Sequence, residues 1–243
     1  MMGAVRWVTG FLDTPSRAAE PFWQAVTGSG WSARRGPGGE FATLVPAGGD
    51  PYLRVQVVGD GTAGGHLDLH VEQVPAQAGR AVSLGASVVS EDGGWVVLRS
   101  PAGIVFCLVP WHGERVRPEP LRWPGGQRSL VDQLSLDVPV GDFDREADFW
   151  AALTGWERRS GSLPEFDFLV RPDGSPLRLL LQRVGGVRAG VHVDLACDGR
   201  TAEVARHVGL GASVVRVTDR WTTLRDPAGR PYCVTDRPFG RAG

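Results

Sequence analysis

The sequence predicts an α+β protein in tandem: two similar domains, each reading β-α-β-β-β twice, with helices packed against mostly antiparallel sheet. Three observations lead there. His66-Leu67-Asp68-Leu69 recurs as His192-Val193-Asp194-Leu195, a shift of 192 − 66 = 126, and Leu84 to Val89 recurs unchanged as Leu210 to Val215. A fixed long period marks a duplicated unit. Short runs of alternating apolar and polar residues, separated by Gly, Pro and Asp turns, describe strands. Helical segments in each half end at a glycine.

Each half opens on a strand, Arg6 to Leu12 and Gln133 to Val138. A helix follows. In the second copy Asp142 or Asp144 is expected to accept bonds from free N–H groups at its start, and Gly155 to stop it. Phe143, Ala147, Trp150 and Thr154 fall on one face of this helix. Its first-half counterpart is interrupted by Pro21 and is expected to start around Ala19 to Pro21. Phe22-Trp23 recurs as Phe149-Trp150, a shift of 149 − 22 = 127, and these pairs are read as core aromatics. Phe41 to Pro46 and Tyr52 to Val58 are expected strands, matched by Phe166 to Arg171 and Leu177 to Val184. The strand from His66 to Val71 leads into a second helix, whose copy runs from about Thr201 to Leu210, with Gly85 and Gly211 as stops. Ala86 to Ser90, Trp95 to Arg99 and Ile104 to Val109 finish the half. The last two are joined by Ser100-Pro101-Ala102-Gly103, or Asp226-Pro227-Ala228-Gly229 in the copy, which is type I turn chemistry. One strand of each first unit leaves only a faint signal.

At 243 residues two domains are the natural expectation. The division reads 1–115 for the first domain, 116–130 for a proline- and glycine-rich linker, and 131–239 for the second. A net charge of −1 gives no electrostatic footprint for nucleic acid. No apolar run approaches the roughly 18–20 residues that span a bilayer. The opening segment lacks the apolar stretch of a signal peptide, and Cys107, Cys197 and Cys233 are widely spaced, so reduced thiols in a cytoplasm are expected. The chain contains no lysine, which excludes Schiff-base chemistry, and no phosphate-cradling loop or nucleophile elbow occurs in a fitting context.

The order Phe-Trp, Thr-Gly-Trp, His-x-Asp-Leu, Leu-Gly-Ala and Pro-x-Gly…Cys carries a resemblance. In the second half it reads Phe149-Trp150, Thr154-Gly155-Trp156, His192-Val193-Asp194-Leu195, Leu210-Gly211-Ala212 and Pro227-Ala228-Gly229 with Cys233. The first half repeats it with Trp31 displaced by two residues. This order resembles the glyoxalase-like branch of the vicinal oxygen chelate superfamily, over about nine-tenths of the chain. The resemblance implies paired βαβββ modules, each pair curving a sheet around a cavity, so this chain would hold two cavities. The family includes glyoxalase-type lyases and isomerases, ring-cleaving dioxygenases, and bleomycin-resistance-like proteins that sequester a drug. Fold therefore leaves function open.

In metal-using members the first and last strands of each module supply the ligands. By motif position those places fall at Thr9 and Gln133 on the opening strands, Gln56 and Gln182 on the fourth, His66 and His192 on the fifth, and Cys107 and Cys233 on the closing strands. His66, His192 and Gln133 are the candidate metal ligands, with no closing carboxylate. Asp68 and Asp194 lie two residues past each His, on the same strand face, and His70 continues that face where its copy is Ala196. Two firm ligands per half are too few for a committed metal site, so no cofactor is expected although a divalent metal is possible. Each His is read either as a hydrogen-bonded structural residue or as a cavity residue working with Asp68 or Asp194 as acid or base. The cysteines are read as small hydrophobes. Trp23, Trp95, Trp150 and Trp221 are expected to frame cores or cavity walls.

The expected function is binding of a small organic ligand without obligatory metal. The alternatives are a metal-dependent lyase, isomerase or dioxygenase, and a chain in which one half is only structural. The expected partner is a small organic ligand, with neither nucleic acid nor membrane. A monomer is expected, since four modules in one chain form an internal pseudo-dimer.

Overall fold

A computed structural model describes residues 5–59 and 64–239; the first four residues of the expected first domain lie outside them. In the first half β1 (Trp7–Thr14), α1 (Glu20–Thr27), β2 (Gly30–Trp31), β3 (Phe41–Val45) and β4 (Leu53–Val57) form one module. β5 (Leu67–Val71), α2 (Val74–Ser83), β6 (Ser87–Asp92), β7 (Trp95–Arg99) and β8 (Val105–Pro110) form the next. A two-residue strand, β9 (Leu121–Arg122), precedes the second half. That half holds β10 (Arg128–Pro139), α3 (Phe143–Thr154), β11 (Arg158–Ser160), β12 (Phe166–Leu169) and β13 (Arg178–Val184). Its last module is β14 (Gly190–Cys197), α4 (Arg200–Gly209), β15 (Ser213–Val217), β16 (Trp221–Arg225) and β17 (Pro231–Thr235). The faint strands of the first units are β2 and β11.

The two sheets have the same strand order, β2-β3-β4-β1-β5-β8-β7-β6 and β11-β12-β13-β10-β14-β17-β16-β15. In each, the first strands of the two modules pair antiparallel at the centre. Each first strand lies parallel to the closing strand of its own module, as β1 does to β4 and β5 to β8. Other neighbours are antiparallel, as the hairpin turns require. The central strands β5 and β14 are buried nearly throughout, so their side chains must be apolar or paired.

Helix ends follow the glycines: Gly28, Gly85, Gly155 and Gly211 all have positive φ. At Gly28 space adds to the requirement, because a Cβ there would sit 2.6 Å from Leu121 Cδ1 of β9. Pro21 occupies the first turn of α1, where its missing N–H costs nothing. The expected caps of α3 do not form. Asp142 flanks the helix but has near-helical backbone angles (φ −104°, ψ −8°), so its carboxylate does not reach back to the free N–H groups and accepts from Arg145 Nη2 at 2.7 Å instead. Asp144 accepts from Arg158 at 3.0 Å.

The segment expected as linker is partly strand. Leu121–Arg122 pairs with Arg128–Ser129 across a turn in which Trp123 donates N–H to Gln127 O at 2.9 Å. β10 therefore begins at Arg128 rather than Gln133 and runs 12 residues, because its first residues also pair with Ala196 and Cys197 of β14.

The buried residues of both halves join in one apolar core, and the helices cross between the halves. Phe149 and Trp150 of α3 pack edge-on against Phe106 of β8, at 5.9 and 5.1 Å between ring centroids. Phe22 and Trp23 of α1 pack on Tyr232 of β17 at 5.9 and 5.2 Å. The two indoles are satisfied differently. Trp150 Nε1 donates to Glu146 of its own helix, whose other oxygen caps Ala102 N in the opposite half. Trp23 Nε1 donates across to Asp226 Oδ2 at 2.8 Å, while Asp226 Oδ1 caps its own turn at Ala228 and Arg230. Among the described residues no helix is long and apolar enough to cross a membrane.

Candidate functional site

Strand register brings the chemistry together at the centre of each sheet. Thr9 lies opposite Asp68, and Gln133 opposite Asp194, so Thr9 and Gln133 are counterparts. Four residues further along β1 and β10, Asp13 lies opposite Gln56 of β4 and Asp137 opposite Gln182 of β13. Asp68 pairs in parallel register with Cys107, and Asp194 with Cys233. His66, Asp68 and Cys107 thus offer ligand atoms within 4.8 Å of one another, and so do His192, Asp194 and Cys233.

Each cluster faces a cavity, of about 740 Å³ at the His66 cluster, where Arg188 to Val191 of the second half complete the wall, and about 570 Å³ at the His192 cluster. Gln56 and Gln182 line these cavities, as do Trp95 and Trp221, whereas Trp23 and Trp150 are core residues. Thr9 lies behind the first cavity, bonded to His70 Nε2 at 2.9 Å in a buried pair, with His70 Nδ1 3.6 Å from Glu114. Gln133 lines the second cavity. Its Nε2 donates to Asp194 Oδ2 at 2.5 Å, and its Oε1 accepts from Arg178 Nε at 2.8 Å. Cys197 accepts from Gly199 N away from both cavities.

Sequence reasoning did not single out Asp13 and Asp137, although a carboxylate from each opening strand holds the histidine. His66 Nδ1 lies 2.8 Å from Asp13 Oδ2, and His192 Nδ1 lies 3.0 Å from Asp137 Oδ2. Phe11 stacks on His66 with centroids 4.0 Å apart. His192 is further flanked by Asp194 Oδ1 at 3.4 Å from Nε2. A carboxylate on Nδ1 fixes the ring and favours its charged form, which is the geometry of an imidazole acid–base pair.

Electrostatics separate the two clusters. Burial alone would push His66 and His192 down, but the facing carboxylates outweigh it and raise both, His192 well above the ordinary value. Asp68 is raised by burial despite His66 and Arg54, whose Nη1 lies 3.0 Å from Asp68 Oδ2. Burial acts the same way on Asp194, yet His192 and the Ser135 hydroxyl, 2.6 Å from Oδ2, outweigh it and lower its pKa. Burial, then the neighbouring aspartate, pushes the thiols of Cys107 and Cys233 up, so neither is a thiolate nucleophile at neutral pH.

A histidine titration by NMR of chelator-treated protein tests this arrangement. His66 and His192 should titrate above 6.5, and His70, pushed down to about 4 by burial, should stay neutral across the range. Stability contributed by the two raised histidines is fully present below their unfolded value of about 6.5 and is lost as pH rises through their folded values. Titration of either ring below 6.5 would show that the Asp13 or Asp137 contact is not made.

A family model described as "Glyoxalase-like domain" matches residues 11–109 and again 133–235. No curated protein matches the chain. Among solved structures, a triple mutant of 4-hydroxymandelate synthase from Streptomyces coelicolor is 16% identical at a TM-score of 0.58, covering 98% of this chain and 94% of that one. The 2,2',3-trihydroxybiphenyl 1,2-dioxygenase of Sphingomonas wittichii RW1 is 14% identical at 0.61, covering 97% and 90%. A variant of homoprotocatechuate 2,3-dioxygenase from B. fuscum is 14% identical at 0.67, covering 97% and 72%. These likenesses are of fold.

Proposed function

The chain belongs to the glyoxalase-like domain family, in two copies, and from that premise we propose that it binds small planar organic anions in both cavities. One observation carries the reading: each His-Asp-Cys cluster shares its cavity with three arginines and three aromatic rings. Arg35, Arg54 and Arg188 line the first with Phe11, Phe41 and Trp95. Arg178, Arg220 and Arg237 line the second with Phe166, Phe168 and Trp221. Guanidinium groups recognise carboxylates in a planar fork, and aromatic walls take a flat body. Both volumes fall in the range of about 300–1,000 Å³ typical of ligand sites.

Calorimetric titration with benzoate and its neutral analogue benzyl alcohol tests the reading. Benzoate is expected to bind at up to two equivalents per chain, at least about tenfold tighter than the alcohol, because a charge-assisted hydrogen bond contributes about 1.5–3 kcal/mol. Arg54→Gln should weaken one of those equivalents and leave the other. Equal affinity for acid and alcohol, or no binding of either, would remove the anion reading.

A second reading attaches to the second cavity alone. There Asp194 Oδ1 is buried with no hydrogen-bond partner among the described residues, beside His192 Nε2. His192 Nε2, Asp194 Oδ1 and Cys233 Sγ fit a zinc-type N, O and S donor set, with Asp137 behind the histidine as such ligands usually require. Zinc held there would supply a Lewis acid for an oxygen of the ligand. The first cavity fits poorly, since Asp68 is occupied by Arg54 and by the Cys107 thiol. Zinc titration of chelator-treated protein should therefore find one equivalent, lost in Asp194→Asn; none or two would reject the distinction.

A further inference from the structure

A third cavity, of about 240 Å³, lies where the first module, the segment before β9 and the opening of β10 meet. It is separate from the two cavities of the His-Asp-Cys clusters and shares no lining residue with them. Its walls are apolar, formed by Val26, Leu44, Leu53, Leu121, Leu130 and Leu195. Three of the four hydroxyl side chains that line it donate elsewhere, Thr27 to Trp23 O, Tyr52 to Val131 O, and Ser129 to Glu203; the fourth is Ser29. Among the described lining residues Arg117 is the only cation. Its Nε and Nη2 are shielded from solvent without a hydrogen-bond acceptor among the described residues.

The charge behind this wall is unbalanced. Asp132 is buried and bonded to Arg237, accepts from Arg171 at its main-chain oxygen at 3.1 Å, and lies 3.8 Å from Arg117 Nη2. The guanidiniums of Arg237 and Arg117 therefore face this carboxylate, and that of Arg171 bonds the main chain beside it. Burial, then the charge of Arg117, pushes Arg171 down to about 10, as expected where cations crowd without enough counter-charge. The one acid on the cavity rim, Glu119, is exposed, and its charge is screened by solvent.

The rim is a loop pair held by a close approach. Gly49 has φ +81°, and a Cβ there would sit 2.7 Å from Pro118 N, so only glycine lets the β3–β4 loop meet the segment carrying Arg117. Asp50 clamps the same contact, accepting from Arg115 N and Val116 N at 2.8 Å each.

We propose that this third cavity is a binding site for a small monocarboxylate with an aliphatic tail, its head on Arg117 and its tail among the leucines. A volume below the range for drug-sized ligands limits the tail to a short chain. Arg117 is half-buried, with Nε and Nη2 shielded and no hydrogen-bond acceptor among the described residues nearer than Asp132 at 3.8 Å, so it gains a charge-assisted partner when a carboxylate enters.

Hexanoate, with hexan-1-ol as its neutral isostere, tests the site by calorimetry. The Arg54→Gln/Arg178→Gln protein, weakened in both concave cavities, should still bind one equivalent of hexanoate, at least tenfold tighter than hexan-1-ol. Adding Arg117→Gln should weaken that equivalent tenfold or more, and Arg117→Lys should retain part of it. Absence of binding in the double variant, no change on adding Arg117→Gln, or equal affinity for the alcohol would each overturn the proposal. Circular dichroism checks that the variants fold. Hydrogen exchange on the unmodified chain gives an independent reading. Hexanoate should protect residues 44–53 and 116–121, and protection confined to β5, β8, β14 and β17 would overturn the site.

Discussion

Replacing Trp150 with alanine is expected to lower the free energy of unfolding by about 3–5 kcal/mol, the usual cost of removing a fully buried aromatic. Trp150 is 0% exposed and packs on Phe106 of the opposite half. Its loss also removes a donor from Glu146, which is itself fully buried and would keep only Ala102 N and the Ser100 hydroxyl. The substitution sits in the second half, but its effect should appear in both. Urea unfolding followed by tryptophan fluorescence and far-UV dichroism should show one transition, moved to lower urea. Two separated transitions, with only the second-half signal displaced, would mean the crossed helices touch without coupling the halves.

Glu203→Ala is expected to cost a similar amount, about 3–5 kcal/mol, for an electrostatic reason. Glu203 is fully buried and accepts from Ser129 Oγ at 2.5 Å, Arg206 Nη2 at 2.6 Å and Gln127 Nε2 at 3.0 Å, with His207 Nε2 at 3.1 Å. Arg206 in turn donates to the Ala25 and Val26 carbonyls at the end of α1 and lies 3.6 Å over the Trp123 ring. One carboxylate thus ties α4 to α1 and to the β9–β10 hairpin, and its removal strands a cation. Burial would raise the Glu203 pKa, but its donors outweigh that and hold it far below the ordinary range, while burial holds His207 low. For both depressed groups the stabilisation is present above the unfolded value and is lost as pH falls, from about 6.5 for the histidine and about 4.5 for the glutamate. Glu203→Gln should flatten the lower part of that acid loss. An acid limb identical to that of the unmodified chain would contradict the network.

Much of the architecture was legible because the duplication writes each element twice. The 126-residue shift holds through the second modules, where His66, Asp68 and Cys107 find their copies. In the opening strands the shift is 137 − 13 = 124, and in the first helices it is 127, so loop lengths conceal the match. Asp13 and Asp137 could still have been found. Once Thr9 and Gln133 are set as counterparts, residues four further along share their strand face by the period of two. Arg54 and Arg178 had no such signal, since their register counterparts are Leu180 and Tyr52. The hairpin at Leu121 to Ser129 lay in a stretch whose prolines argue for extended chain, and its Pro124-Gly125-Gly126 run was the turn signal. Periodicity marked Phe22, Trp23, Phe149 and Trp150 as packed, but a stripe of apolar residues does not say whose surface covers it. Here the answer was the other half.

That crossed packing has a consequence for how such a protein changes over generations. In a symmetric homodimer every substitution enters both copies of a site at once, so a gain in one pocket is forced on its twin. Here the interface keeps the outline of a twofold, with α3 on β8 and α1 on β17, while a single chain encodes each side separately. Arg54 can oppose Asp68 in one pocket while Leu180 stands at its place in the other, and the indole partner can be Glu146 on one side and Asp226 on the other. Fusion turns a shared inheritance into two independent ones, held together by a seam that neither half can abandon.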